Sequence, residues 1–166
     1  MSGKYASLFG AFAICLLGGL LSAGAAQASS FAPYDSGDHS ELLTSLPGDN
    51  TKHVVYSLDI GPVSTNDILV VDAEVEMTND TGSPSRLSAQ LVLASSATAT
   101  NGTALDENNN FYITPDMHHG VRVKASVKQI TSQNPANFVN LVVWGSPGTL
   151  TVEDDCGRLQ VLKITP

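Results

Sequence analysis

From residue 54 onward the chain alternates short β-branched or aromatic runs with clusters of turn-forming residues. The runs fall at 54–60, 68–77, 87–94, 111–113, 121–130, 138–144, 149–152 and 158–164. Gly61-Pro62, Asn79-Asp80-Thr81-Gly82, Asn101-Gly102, Asn108-Asn109-Asn110, Asn134-Pro135 and Gly145-Ser146-Pro147-Gly148 separate them. Gly permits positive φ, Pro fixes φ and Asn bonds its own backbone, so each cluster is a turn for a stated reason. No stretch holds an apolar i, i+3, i+4, i+7 pattern for three turns, which removes long amphipathic helices. About eight short strands predict an all-β domain, a two-sheet antiparallel β-sandwich, jelly-roll-like, with an immunoglobulin-like sandwich as the alternative.

The alternation also predicts faces. In 68–77, Leu69, Val71, Ala73, Val75 and Met77 share one side, while Asp72, Glu74 and Glu76 share the other. In 121–130, Val121, Val123, Ala125 and Val127 oppose Arg122, Lys124 and Lys128. An acidic and a basic face of matching length suggest antiparallel neighbours, with their charges setting the register. In 138–144 both faces are apolar, Phe138, Val142 and Trp144 on one and Val139, Leu141 and Val143 on the other. Such a strand is covered on both sides or meets a second subunit.

The amino terminus has a different character. One positive charge, Lys4, precedes the almost wholly apolar stretch 8–21, and Ala26-Gln27-Ala28 follows as a small-x-small cleavage site. This is the layout of a secretory signal peptide, 1–28, cut after Ala28 with Ala25 as the alternative. It predicts a secreted or periplasmic protein that keeps no membrane segment after cleavage. Cys15 lies mid-run rather than at the cleavage point, which argues against a lipid anchor. Residues 29–53 are rich in Ser, Gly, Pro and Asp around Leu42, Leu43 and Leu46, and read as a loosely ordered surface segment ahead of a 54–166 sandwich domain.

Charge then excludes several partners. The full chain carries 8 Lys and Arg against 16 Asp and Glu, a net −8, and loss of Lys4 makes the mature chain −9. Sequence-independent nucleic-acid binding and a basic membrane patch both need clustered cations, which are absent. Cleavage also leaves Cys156 without an intramolecular partner, so it is an inert small residue or the link of a dimer. Its acidic neighbours Glu153, Asp154 and Asp155 oppose thiolate formation.

Candidate chemistry is sparse. His118, His119 and Asp116 form the densest set of potential metal ligands, a divalent-metal possibility with no other cofactor implied. Adjacent residues of an extended chain point to opposite sides, which works against both imidazoles sharing one ion. His39 and His53 lie in or beside the amino-terminal segment. Asp106-Glu107-Asn108, Glu153-Asp154-Asp155, and Asp35 with Asp38 could contribute loop oxygens to calcium, but none has a calcium-loop spacing. A blue-copper site needs a His after its Cys, and Cys156 has none. There is no G-x-S-x-G elbow. A carboxylate-based hydrolase needs two acids meeting in a pocket, which requires a fold to test. Of the aromatics, Tyr56, Phe138 and Trp144 fall on apolar faces and are expected in the core, and Phe111-Tyr112 exposes at most one ring. Asn79-Asp80-Thr81 and Asn101-Gly102-Thr103 match the N-glycosylation pattern.

The sequence therefore predicts a non-enzymatic exported β-sandwich that acts by binding or self-assembly. A homo-oligomer would form through the Phe138 to Trp144 strand or Cys156. A metal or small-ligand module at the His118-His119 turn is the alternative, and the carboxylate hydrolase is a weaker one. The ligand is not legible.

Overall fold

A computed structural model describes residues 30–36, 41–106, 109–115, 118–131, 135–153 and 157–166. Its strands are β1 (Ser30–Asp35), β2 (Ser45–Leu46), β3 (His53–Asp59), β4 (Ile68–Thr78), β5 (Ser85–Ala94), β6 (Thr103–Ala104), β7 (Asn109–Ile113), β8 (His118–Gln129), β9 (Phe138–Ser146), β10 (Leu150–Val152) and β11 (Arg158–Thr165). All eight expected runs are strands. No helix occurs among the described residues.

The strands form two antiparallel sheets. In the first, β4 is bordered on one edge by β8 and on the other by β11 and then β10, which lie end to end and are flanked in turn by β1 and β2. In the second, the order is β3, β9, β5, with β7 and β6 sharing the outer edge of β5. Each sheet is thus four columns wide. The chain crosses repeatedly from one sheet to the other as it passes through β3, β4, β5, β8, β9 and β10. That winding is jelly-roll-like.

Period-2 patterning fills the space between the sheets. Leu69, Val71, Ala73, Val75 and Met77 of β4 face Leu87, Ala89, Leu91 and Leu93 of β5 and Val139, Leu141 and Val143 of β9, all buried in one cluster. Burying each large side chain contributes roughly 1.5–3 kcal/mol. A register shift in β3 between Val54 and Tyr56 lets the consecutive residues Val55 and Tyr56 both enter that core.

The acidic and basic strands are neighbours, as the alternation predicts. Asp72 is opposite Lys124 and Glu74 opposite Arg122. The third pairing does not form, because Glu76 meets Gly120, and a register shift between Leu69 and Val71 sets Lys128 opposite Leu69.

Two described parts of the 29–53 segment join the sheets. Ser30–Asp35 pairs with β11 over six residues, and Leu46 is fully buried in the core. Leu43 packs against that core, while Leu42 stays exposed. The backbone hydrogen bonds of an edge strand, together with one leucine anchor, outweigh the weak local propensity of Pro33 and its neighbours.

Candidate interaction surfaces

The expected metal site divides as follows. His118 and His119 begin β8, opposite Thr78 and Met77, while Asp116 lies outside the described residues. Glu153 donates its backbone N–H to the Glu76 carbonyl, 3.0 Å away, on the other edge of the same end of β4. The histidines and this acid are therefore two strand spacings apart, roughly 9.6 Å at the backbone. Asp106 is in the opposite sheet, where its Oδ1 accepts the Leu91 N–H at 2.8 Å. Glu107, Asp154, Asp155 and Cys156 lie outside the described residues, as do Asp38 and His39. Among the described residues no group of three potential metal ligands converges.

Two outer surfaces carry the features that remain. The first is on the β1-β11-β4 face. Pro33, Leu162 and Val70 align across three strands as one apolar row, and Asp35, Gln160 and Asp72 align as the polar row beside it. Together they floor an open groove of about 590 Å³. The two carboxylates of this groove have different neighbours. Gln160 donates to Asp35 Oδ2 at 2.7 Å, Asp35 is exposed, and Asp72 stands opposite Lys124.

The second surface is the outer face of β9, β5 and β7. Half of it is covered by the chain's own 95–102 segment. Asn140, fully buried, donates its Nδ2 to the carbonyls of Ser96 at 3.0 Å and Ala99 at 2.8 Å, and accepts from Ser57 Oγ at 2.7 Å. Under this cover Val54, Val92, Ala94 and Val142 form a second buried cluster, with Ala99 and Trp144 packed at its margin. The two-faced apolarity of β9 is thus satisfied in large part within one chain.

The other half of that face is an open cup of about 240 Å³ lined by Asn50, Arg86, Ser88, Asn110 and Trp144. Register builds it: Trp144, Ser88 and Asn110 form one row across three strands, and Arg86 and Tyr112 start the next. Asn110 Oδ1 accepts from Ser88 Oγ at 2.7 Å and from Arg86 Nη2 at 2.9 Å. Asn50 closes one side in a left-handed conformation, φ 63°, with its N–H bonded to the Gly145 carbonyl at 2.9 Å. Lys52 Nζ sits 4.7 Å from the centroid of the Trp144 ring. Tyr112 is 75% exposed, whereas Phe111 packs on the core. Trp144, expected in the core, is half-buried and walls a polar cup. Arg86, Ser88 and Asn50 gave no sequence signal, and Asn110, expected in a turn, lies in β7.

No protein-family model matches the sequence, and no curated protein matches it. Solved structures do share the fold. The structure of infectious bursal disease virus, Gt strain, superposes with a TM-score of 0.51 at 14% identity, over 82% of this chain and 33% of that one. The crystal structure of the T13 infectious bursal disease viral particle gives 0.51 at 12% identity, over 82% and 34%. The chain spans about a third of the length of these neighbours, and the likeness is one of β-sandwich fold.

Proposed function

We propose that this protein is an exported, non-enzymatic β-sandwich that works by self-association, its outer β1-β11-β4 face docking on a second copy. The apolar row Pro33, Leu162 and Val70 carries this reading. It floors an open groove, whereas the apolar residues of the opposite sheet's outer face have their own covering segment. A partly exposed apolar strip bordered by polar residues has the form of an association surface. The groove also adjoins β1, which among the described residues is an edge strand paired with β11 alone, so backbone donors and acceptors lie next to the apolar strip. Fold neighbours taken from viral particles are consistent with assembly as a use of this sandwich. Export rests on the amino-terminal segment 1–28 and its Ala26-Gln27-Ala28 site.

Sedimentation velocity over a hundredfold concentration range tests the association. The expected result is a concentration-dependent shift to dimers or larger species, abolished by Leu162→Glu with an unchanged circular dichroism spectrum. A wild-type protein that stays monomeric throughout overturns the proposal. So does unaltered association in the variant.

A further inference from the structure

We propose that the cup between Trp144 and Asn110 is a binding site for an acidic saccharide, a sugar ring bearing a carboxylate. Four observations carry this. Among the described residues its lining includes no carboxylate, in a chain with 16 acidic and 8 basic residues. The nearest acid in sequence, Asp49, is turned to its own loop, where its Oδ1 accepts the Thr51 N–H at 2.8 Å. Two of those few cations, Arg86 and Lys52, meet at this place.

The polar groups are also pre-positioned. Asn110 Oδ1 accepts from both Ser88 Oγ and Arg86 Nη2, which ties the Arg86 guanidinium to the wall of the cup, and these two bonds use neither the Asn110 amide N–H groups nor the other Arg86 donors. A planar guanidinium held in this way suits a carboxylate, which accepts two parallel N–H donors. The indole supplies an apolar wall. A sugar ring presents C–H groups to such a wall and hydroxyls to the amides of Asn50 and Asn110. Lys52 lies over the indole as an exposed cation, a contact worth roughly 0.5–1 kcal/mol, so it is readily exchanged for a ligand ring while its ammonium remains near an incoming anion. Exposed Tyr112, beside Arg86, extends the platform toward a second ring. At about 240 Å³ the cup lies below the roughly 300–1,000 Å³ of drug-sized sites, which fits one ring of a longer chain. Inorganic phosphate would use the cations but neither the indole nor the amide acceptors.

Trp144 is the only tryptophan, so intrinsic fluorescence reports on the cup alone. Full-length secreted protein is titrated with trigalacturonate, with its methyl ester and with inorganic phosphate. The expected result is a saturable change with trigalacturonate. The methyl ester should bind at least about tenfold more weakly, because it lacks the charge paired to Arg86. Arg86→Ala, on an exposed side chain, should lower trigalacturonate affinity by a similar factor with an unchanged circular dichroism spectrum. Asn110→Ala should weaken it less. No fluorescence response to trigalacturonate, or one unaltered in both variants, overturns the proposal. An equal response to phosphate overturns it in favour of a simple anion site. Sedimentation should be unaffected by these variants, which keeps this site separate from association on the other sheet.

Discussion

The side-chain amide of Asn79 donates to the carbonyl of Ile113, 2.8 Å away, and so ties the end of β4 in one sheet to the end of β7 in the other. The same amide donates to the Ser83 carbonyl at 2.8 Å, and Asn79 Oδ1 accepts from the Thr81 N–H at 3.0 Å and from Thr81 Oγ1 at 2.6 Å. Asn79 is fully buried. Replacing it by Ala leaves the buried Ile113 carbonyl without its donor and cuts three bonds to the exposed turn, so Asn79→Ala should cost about 1–3 kcal/mol. Urea unfolding measures this. Asn101→Ala, at an exposed position, should stay within about 0.5 kcal/mol of the wild type.

The same bonds separate the two glycosylation patterns. A glycan on Asn79 would consume a hydrogen of the Nδ2 that donates to two carbonyls and would have to leave a site with no exposed surface. Asn101 is exposed in the turn before β6. Folded protein secreted from a glycosylating host should carry glycan on Asn101 and none on Asn79. Peptide mass spectrometry after enzymatic deglycosylation in heavy-oxygen water tests this, and occupancy at Asn79 in folded material would contradict it.

Gly157 is buried against Tyr56, and a Cβ built on it would fall on the Tyr56 hydroxyl oxygen, with the ring Cζ only 2.8 Å away. Tyr56 lies fully inside the core, so it cannot swing aside without opening a cavity. Gly157→Ala should cost about 1–3 kcal/mol, as overpacking does, and Gly157→Val more. Removing the hydroxyl relieves part of the clash. Thermal unfolding of Gly157→Ala with Tyr56→Phe should therefore show less loss than the two single changes summed, by about 0.5 kcal/mol or more.

How much of this was legible in the sequence depends on whether a local pattern encodes it. The core face of β4 was legible because Leu69 to Met77 alternate without interruption, and the β4-β8 pairing because its charges match. β1 was not, since Pro33 and few β-branched residues mark it, and an edge strand bonded along one side tolerates both. The covering of β9 was hidden for a related reason. Residues 95–102 are Ser, Ala, Thr, Asn and Gly, held in place by Asn140 across 41 and 44 residues rather than by apolar patterning. The cup gathers Asn50, Arg86, Ser88, Asn110 and Trp144 from four separate stretches. Only register brings them together, and register between distant strands is not a local property.

The charge match across β4 and β8 has a measurable coupling. Asp72 and Lys124 are register partners, and an acid and a base so placed contribute roughly 0.2–1 kcal/mol when they pair. Asp72→Lys and Lys124→Asp should each destabilise by setting like charges opposite one another. The exchanged double variant should recover most of the loss. Double-mutant analysis by urea unfolding should give a coupling that shrinks at 1 M salt, where screening acts over roughly 3 Å. Equal coupling at both salt concentrations would show that the pair is not electrostatic.

Asp106 gives the fold a pH dependence of opposite sign to that of most paired carboxylates. Desolvation raises its pKa above the ordinary 3.8, against the lowering effect of the Leu91 N–H bonded to its Oδ1 at 2.8 Å. A group whose folded pKa is raised holds more protons in the native state than in the unfolded one, so its contribution falls as pH rises. That contribution is fully present below 3.8 and is lost as pH climbs through the higher folded value. Asp106→Asn keeps an Oδ1 to accept the Leu91 N–H and removes the ionisation. The melting temperature of the variant relative to wild type should therefore be higher at pH about 6 than at pH about 3. The reverse ordering would mean that the Leu91 hydrogen bond to the ionised form outweighs burial.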